Sequence, residues 1–543
     1  MFKLFLTILR RINGRKTKIK EGAQSHWETT FETERRPISS SLEKNKAIVK
    51  EIFDRCDDLV IREIIISRKS PVRALVVYLD PMVNPDLLQH NLLRALLNVD
   101  EAPSNGITIA WLKEKVIPAG DIQEKKRWVE VGNGIAKGLV GIFVEGQGSV
   151  LLTSIFEDVS RSISQPTAEP LIRGPADAFN EDLRTNIALL RKRLHTTRLA
   201  VENLEIGELS KTAASLVYLK GYVTDELIHE VKERIQRIKI DGAHAGGYHE
   251  EFLQDNPYSL FNPIEPTERP DKLYGHLLEG AVGLMFENTP FAIIFPVTLP
   301  SQIQSPEDYY NHYWFASFIR LFRWAGFFFA IFLPSFYIAI TTYHQELVPT
   351  PLLISIIASR EGVPFPGFLE ALLMELAFEL LTEAGVRLPR AFGQTISIVG
   401  GIVIGQAAVN ASLVSPILVI VVALTAVATY TIPSITLSNT VRMLRFPFMI
   451  AAAFMGLFGV VAGSMLLIFH LCSLRSFGVP YLSPLAPLSM GDLKDTFIRA
   501  PAWMMIMRPR LTGYVEPQRQ PRGQKPRPPA PEGNRSLRWG RKK

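Results

Sequence analysis

Three carboxylates stand out in a sequence otherwise poor in reactive groupings. Glu375, Glu379 and Glu383 recur every four residues within Pro366–Ala384, so on a helix they share one face. The helix is apolar on most of its circumference, and Glu370 lies well round from the stripe. In a bilayer such acids are costly unless they face water, a cation or another polar group. Repeated around a ring of identical subunits, they would favour cations. The same stripe also fits a helix lying at the membrane surface with its acids in water, or a Glu383–Arg387 pair one turn apart. Other candidate chemistry is weaker. Gly132, Gly134 and Gly138 beside Lys137 meet neither the dinucleotide nor the P-loop spacing and read as loop and hairpin. Asp241, His244, His249 and Glu250 lie in Gly-rich surroundings at no strong metal-ligand spacing and read as a turn. His195 and the Ser210-Lys211-Thr212 triplet lack catalytic partners. The expectation is a chain with no catalytic residues, no metal and no cofactor.

The elements around these residues fall into contrasting regions. The chain has 543 residues, too many for one hydrophobic core. Residues 1–41 read as a flexible polar stretch whose apolar Leu4–Leu9 is too short for a secretory signal. Leu59–Ile66 and Val72–Leu79 read as strands, and Asp80–Asn98 carries leucines at helical spacing. Gly138–Glu145 and Ser149–Phe156 flank Gly146-Gln147-Gly148 as a hairpin. Further on, Asn180–Glu202 reads as a charged helix and Ala214–Leu219 as a strand. Thr224–Ile238 is an amphipathic helix, and a hairpin closes around Glu287-Asn288-Thr289. The fold class expected is therefore an α+β N-terminal region of two small α/β subdomains (42–170 and 171–300). An all-α polytopic membrane domain (301–490) and a disordered basic tail (491–543) follow.

Four stretches are apolar and long enough to span a bilayer: Trp324–Tyr343, Phe392–Val409, Leu413–Ile432 and Phe446–Leu471. None contains Asp, Glu, Lys or Arg. Gly401/Gly405 and Gly459/Gly463 are GxxxG patterns that let backbones approach, within one subunit or between subunits. Gln394, Gln406 and Asn410 either bridge helices or line a hydrated path. Orientation signals conflict: with four spans and both termini inside, Arg442 and Arg445 fall outside, against the positive-inside tendency. The preferred reading keeps both termini inside and makes the acidic helix re-entrant, interfacial or buried in an assembly.

Net charge is +7. From Arg508 onward eleven Lys and Arg face two acids, Glu516 and Glu532, in a Pro-rich context without the aromatic pattern of a nucleic-acid binder. Cys56 and Cys472 are the two cysteines, too few for a disulfide framework and consistent with a reducing compartment.

Several long motifs occur in one order: RGPADAFNEDLRTNIALLRKRL (Arg173–Leu194), TERPDKLYGHLLEG (Thr267–Gly280), EAGVRLP (Glu383–Pro389), TISIVGGIVIGQAAV (Thr395–Val409) and SFGVPYLSPLAP (Ser476–Pro487). On these the chain resembles, from about Leu59 to Arg508, the A subunit of bacterial spore germinant receptors. Departures from the family's usual residues fall at Ala281, Thr382 and the Glu287-Asn288-Thr289-Pro290 turn, commonly Asp-Gly-Thr-Pro. The resemblance implies a cytoplasmic N-terminal domain, a spore inner-membrane location, and two partners. These are a transporter-like, nutrient-binding B subunit and a lipoprotein C subunit. It also implies a homo-oligomer that conducts monovalent cations when nutrient binds. A secondary transporter and a non-conducting scaffold are the competing functions.

Overall fold

In the computed structural model, residues 36–66, 71–99, 107–117, 121–155, 165–242, 247–387, 405–509 and 515–526 are described. They divide into two compact units, which draw on Met1–Arg161 with Ile187–Glu202 and on Ser162–Asn186 with Asn203–Lys543.

The first unit opens with helix α1 (Leu42–Ile52), which buries Leu42, Val49 and Ile52 and exposes its lysines. Strands β1 (Leu59–Ile66), β2 (Val72–Leu79), β3 (Ile122–Lys125), β4 (Leu139–Val144) and β5 (Val150–Ser154) form a sheet in the order β1-β2-β4-β5-β3. All its pairings are antiparallel. Helix α2 (Trp128–Ala136) packs on it. β2, β4 and β5 are buried almost throughout, so their sequences are continuous apolar runs rather than alternating ones. A buried ion pair closes the unit: the Arg191 guanidinium forks onto Asp58 at 2.8 and 2.9 Å.

The second sheet is built from β6 (Leu199–Ile206), β7 (Thr212–Leu219), β8 (Glu265–Thr267), β9 (Val282–Phe286) and β10 (Ala292–Phe295) in the order β6-β7-β9-β10-β8. That is the first sheet's topology repeated. Helices α3 (Leu183–Arg193), α4 (Asp225–Arg237), α5 (Gly247–Leu253) and α6 (Pro270–Leu277) accompany it. The repetition reaches individual hydrogen bonds. Asn45 accepts from the Ser39 N–H and donates to the Ser39 carbonyl. Asn186 makes the same pair of bonds to Asn180. Gly146 N–H donates to Ser40, and Asn288 N–H to Glu181. Asn84 caps one helix start and Thr224 the other. Gly138 and Gly280, which end α2 and α6, both adopt φ +90°. The two halves are a tandem duplication of one α+β unit. Antiparallel pairing makes both copies α+β rather than α/β.

Two boundaries differ from the sequence reading. The helix expected over Asn180–Glu202 stops at Arg193, because Leu199-Ala200-Val201 is a fully buried apolar run that begins the edge strand β6. β3 and β8 were not anticipated. In the turn at Glu287-Asn288, Asn288 takes φ +66°, a conformation asparagine tolerates better than most residues.

The rest of the second unit is helical: α7 (Tyr313–Thr342), α8 (Thr350–Arg360), α9 (Gly367–Arg387), α10 (Pro416–Tyr430) and α11 (Ile435–Ser473). α7 and α11 are long and apolar enough to cross a membrane. α11 is not one rod. Gly456 has φ +60° and ψ −143°, outside the helical region. Its two legs fold onto each other: a Cβ on Gly463 would meet the Phe448 ring at 2.8 Å, and one on Gly459 would strike the Ala451 carbonyl. Both ends reach the same segment. Ser434 bonds Glu265 at 2.8 Å, and His470 bonds Ser259 at 2.9 Å. The single span expected over Phe446–Leu471 is therefore divided, and its first part belongs to an incoming leg that begins at Ile435.

The tail expected to be disordered from residue 491 is ordered well beyond that point. Arg508 donates to the carbonyl of Leu278, just past the end of α6, and to the Glu516 and Gln518 carbonyls. Its guanidinium lies 4.4 Å above the Tyr222 ring. Arg519 pairs with Glu279. A multidentate cation at unfilled helix carbonyls is a favourable contact that composition alone does not disclose.

Candidate functional site

Two of the sequence-specific motifs meet at the edge of the second sheet. β8 presents Glu265 and Thr267, and α6 starts at Pro270, whose fixed φ suits a first helical turn. Lys272, one turn in, is buried and donates to Glu169 and Glu265, each at 2.7 Å. Arg269 forks onto Asp271 (3.0 Å twice) and donates to the Pro175 and Glu169 carbonyls. Glu268 accepts from the Ala168 and Glu169 N–H groups. The TERPDK sequence is thus a buried network in which every charge has an opposite charge or a backbone dipole, the condition for burying charge at all. Burial pushes the Glu265 carboxyl up from its ordinary value, and Lys272 pulls against that shift. Burial opposes the charge on Lys272, but Glu169 and Glu265 outweigh it and hold its pKa above the usual lysine value.

This network grips the helical region at two points. The second Glu265 oxygen accepts from Ser434, whose own hydroxyl oxygen accepts the Leu437 N–H as the N-cap of α11. Tyr310, three residues before α7, donates to Asp271 at 2.9 Å. Arg320 and Arg323 in the first turns of α7 pair with Asp308 at 3.1 and 2.7 Å, and Arg320 reaches Asp495 at 2.8 Å.

Among the helices, the acidic face of α9 meets arginines. Glu375 and Arg445 are both fully buried and paired. Arg445 also donates to the Ala330 carbonyl of α7 at 3.0 Å and to the Thr429 hydroxyl of α10 at 2.8 Å. One guanidinium therefore ties α7, α9, α10 and α11 together. A turn further along α9, Glu379 accepts from Arg442 Nε at 3.1 Å. The arginines lie three residues apart and the glutamates four, so both pairs form along one antiparallel contact. Glu383, exposed, pairs with Arg387 on its own helix at 2.6 Å. Glu370, which the stripe excludes, is buried and accepts the Ser415 N–H that opens α10.

The remaining sequence candidates separate. Gly405 sits close to α10, where a Cβ would meet Val419 at 3.6 Å, an ordinary contact. Gly459 and Gly463 face the first leg of α11. Gly401 and Gln394 lie outside the described residues, as does His244. Gln406 donates to Asn410 on an exposed face. His249 is buried against Phe286, ring centroids 4.1 Å apart, with no hydrogen-bond partner among the described residues; burial drops its pKa to about 4. Glu250 accepts from Asn262 at 2.6 Å, and burial raises it to about 7. Among the described residues no group of three or more His, Cys, Asp or Glu could hold a metal ion. Sequence reasoning missed Ser434, Tyr343 and Gly326. A Cβ on Gly326 would meet the Ala428 carbonyl at 3.2 Å, marking the α7–α10 crossing. The signal for Ser434 was present, a serine immediately before an apolar helix.

In the second unit, an α+β sheet tied by a buried charge network to helices, two of them long and apolar enough to cross a membrane, points to a membrane-associated class of protein. Comparison with known proteins narrows this. Residues 47–511 match the family model described as Bacillus/Clostridium GerA spore germination protein. The chain is 41% identical over 505 residues to spore germination protein KA of Bacillus subtilis, covering 93% of each. It is 38% identical to spore germination protein A1 of the same organism, over 84% of this chain and 93% of that one. It is 36% identical to spore germination protein GerLA of Bacillus cereus, over 85% and 94%. The N-terminal domain of the A subunit of the Bacillus megaterium spore germinant receptor GerK3 aligns at 26% identity, over 48% of this chain and 97% of that domain, with TM-score 0.39. This chain belongs to the GerA family of spore germination proteins.

Proposed function

We propose that this chain is the membrane subunit of a nutrient-responsive germination receptor and forms part of a cation path. The supporting observation is the Glu375–Arg445 and Glu379–Arg442 contact inside an apolar helix bundle. Ionisable groups at such depth are costly in lipid and characteristically mark ion pathways. In this reading the path opens when nutrient, bound by a transporter-like B subunit and assisted by a lipoprotein C subunit, favours a second arrangement of these helices. Several copies of this chain surround the path.

The reading includes a topology. α11 has 39 residues, which as a rod would extend about 58 Å, nearly twice a bilayer's hydrocarbon thickness of about 30 Å. Broken at Gly456, it crosses and returns. α7 crosses once, and α9 crosses with its Glu370 end beside Ser415. α10 crosses as well. An even number of crossings in all places both termini on one side, the cytoplasm, in keeping with the basic tail. The membrane is the spore inner membrane, and the conducted ions are monovalent cations.

Conductance of the receptor in lipid, with and without candidate nutrients, tests the proposal. Large uncoupled currents evoked by nutrient are expected. Saturable coupled uptake would favour a secondary transporter, and an assembled receptor that never conducts would favour a scaffold.

A further inference from the structure

The two arginines on α11 sit where a cation path would need its cations. Arg445 is fully buried, is held by three other helices, and points one guanidinium N–H at Glu375. Glu375 uses only one oxygen for this. Its other oxygen, Oε1, is buried and has no hydrogen-bond partner among the described residues. A carboxylate at full burial with one oxygen unfilled is a strong ligand kept short of ligands. Arg442 engages both oxygens of Glu379, at a pair whose side chains are about a quarter exposed. The other two acids of α9 make their hydrogen bonds and ion pairs elsewhere, Glu370 with Ser415 and Arg360 and Glu383 with Arg387.

We propose that Glu375 and Glu379 form a monovalent-cation site, and that Arg442 and Arg445 are tethered cations occupying it in this conformation. The inference rests on the cation-path reading above and says how that path is kept shut. A guanidinium satisfies a carboxylate's charge as a free cation would, but it is fixed to α11 and cannot move on. It therefore blocks the site sterically and neutralises its field. Conduction requires the contact between α9 and the first leg of α11 to part, so that both carboxylates face water and mobile ions.

The geometry suggests where the force enters. The first leg of α11 runs from Ser434, held by Glu265, to the break at Gly456. Both arginines lie within that leg. A shift of β8 against α6 would pull on the N-cap and slide Arg442 and Arg445 along α9 together.

The experiment uses the assembled receptor in liposomes, with ion flux read before and after nutrient. Arg442→Gln, at the less buried pair, is expected to raise flux without nutrient at least tenfold. Arg445→Gln leaves Glu375 buried and unpaired and risks misfolding, so the pair is also tested as Glu375→Gln with Arg445→Gln. A second arm uses Thr382→Cys with Asn439→Cys, one turn beyond the Glu379–Arg442 pair along the same antiparallel contact and outside the site, in a Cys472→Ala background, and joins them with a short reducible bis-thiol reagent, cross-linking being verified by mass. The joined receptor is expected to lose its nutrient-evoked flux, and reductant to restore it. Wild-type flux with nutrient, but no basal flux in Arg442→Gln and full nutrient response in the joined receptor, would overturn the tethered-cation assignment while leaving the cation path standing. No flux from wild type under any nutrient would overturn the cation-path reading, and this assignment with it.

Discussion

Gly456→Ala is the substitution whose consequence the fold dictates most directly. The backbone there takes φ +60° and ψ −143°, a region open to glycine and closed to residues with a side chain. Forcing alanine into it costs about 1–3 kcal/mol of backbone strain. The new methyl would also sit 2.8 Å from the His344 ring and 3.0 Å from Tyr343 Cβ. Crowding of that kind adds about 1–3 kcal/mol, toward the lower end because the histidine ring can turn aside. The helix cannot escape by straightening, because its two ends would then part by about 58 Å. Both the Ser434–Glu265 and the Ser259–His470 contacts would be lost. The expected loss is therefore about 2–4 kcal/mol. Titration of the detergent-solubilised receptor with sodium dodecyl sulfate, followed by tryptophan fluorescence, reads it as a lower unfolding midpoint. Tyr343→Phe supplies a scale. The Tyr343 hydroxyl donates to the Ala453 and Phe454 carbonyls that the break leaves without helical partners, and its loss should cost about 0.5–1.5 kcal/mol. A Gly456→Ala midpoint equal to wild type, or higher than that of Tyr343→Phe, would refute the reversal.

Glu250 and His249 set opposite limbs of a pH profile. The Glu250 carboxyl is raised to about 7, so its stabilising contribution is complete below its unfolded value and is lost as pH climbs toward 7. His249 is lowered to about 4, so its contribution holds above its unfolded value near 6.5 and is lost as pH falls toward 4. Between about pH 4.5 and 6.5 the two slopes oppose each other and largely cancel, so the wild-type unfolding midpoint is nearly flat there. Glu250→Gln is expected to unmask a midpoint that rises with pH and His249→Phe one that falls, and a profile unchanged by its substitution would count against the assignment. Gly405→Ala should be tolerated within about 1 kcal/mol, since its Cβ finds ordinary contact with Val419. Gly459→Ala should lower receptor assembly sharply, and equal yields of the two would contradict the packing of the α11 legs. A cysteine introduced at Glu202 should react with an impermeant maleimide only after the membrane is opened, and labelling of intact protoplasts would reverse the proposed orientation.

What the sequence disclosed followed from periodicity. Strands β1, β2, β4, β5, β7, β9 and β10 were legible as β-rich runs bounded by turns, and α4 as a four-residue apolar step. The glutamate stripe was legible for the same reason. Its partners were not. Arg442 and Arg445 flank an apolar run, and positive charges in that position read as topology signals rather than as side chains turned inward. Their three-residue spacing carried the needed hint only if the helix was known to start at Ile435. The reversal at Gly456 was hidden because one uniformly apolar stretch gives no periodicity change where the backbone turns. β3 and β8 are four and three residues long and mostly polar, so neither alternation nor hydrophobicity marked them. The duplication escaped notice because what the copies share is concentrated in caps and turns, such as Asn45 with Asn186 and Gly138 with Gly280.

The duplication also implies a division of labour. Where the second copy carries Glu265, Arg269 and Lys272, the corresponding stretch of the first, around β3 and the start of α2, has Gln123, Arg127 and Glu130. Only the arginine survives. The first copy lacks the acid and lysine that bind the second to the helices, and the core against its sheet is a cluster of apolar side chains. One ancestral module, doubled, was thus free to keep a plain version and recruit its sibling as an anchor. The plain copy escaped the constraints of holding a membrane segment, and its outward surface is the part of the molecule evolution could reshape at least cost to the attachment.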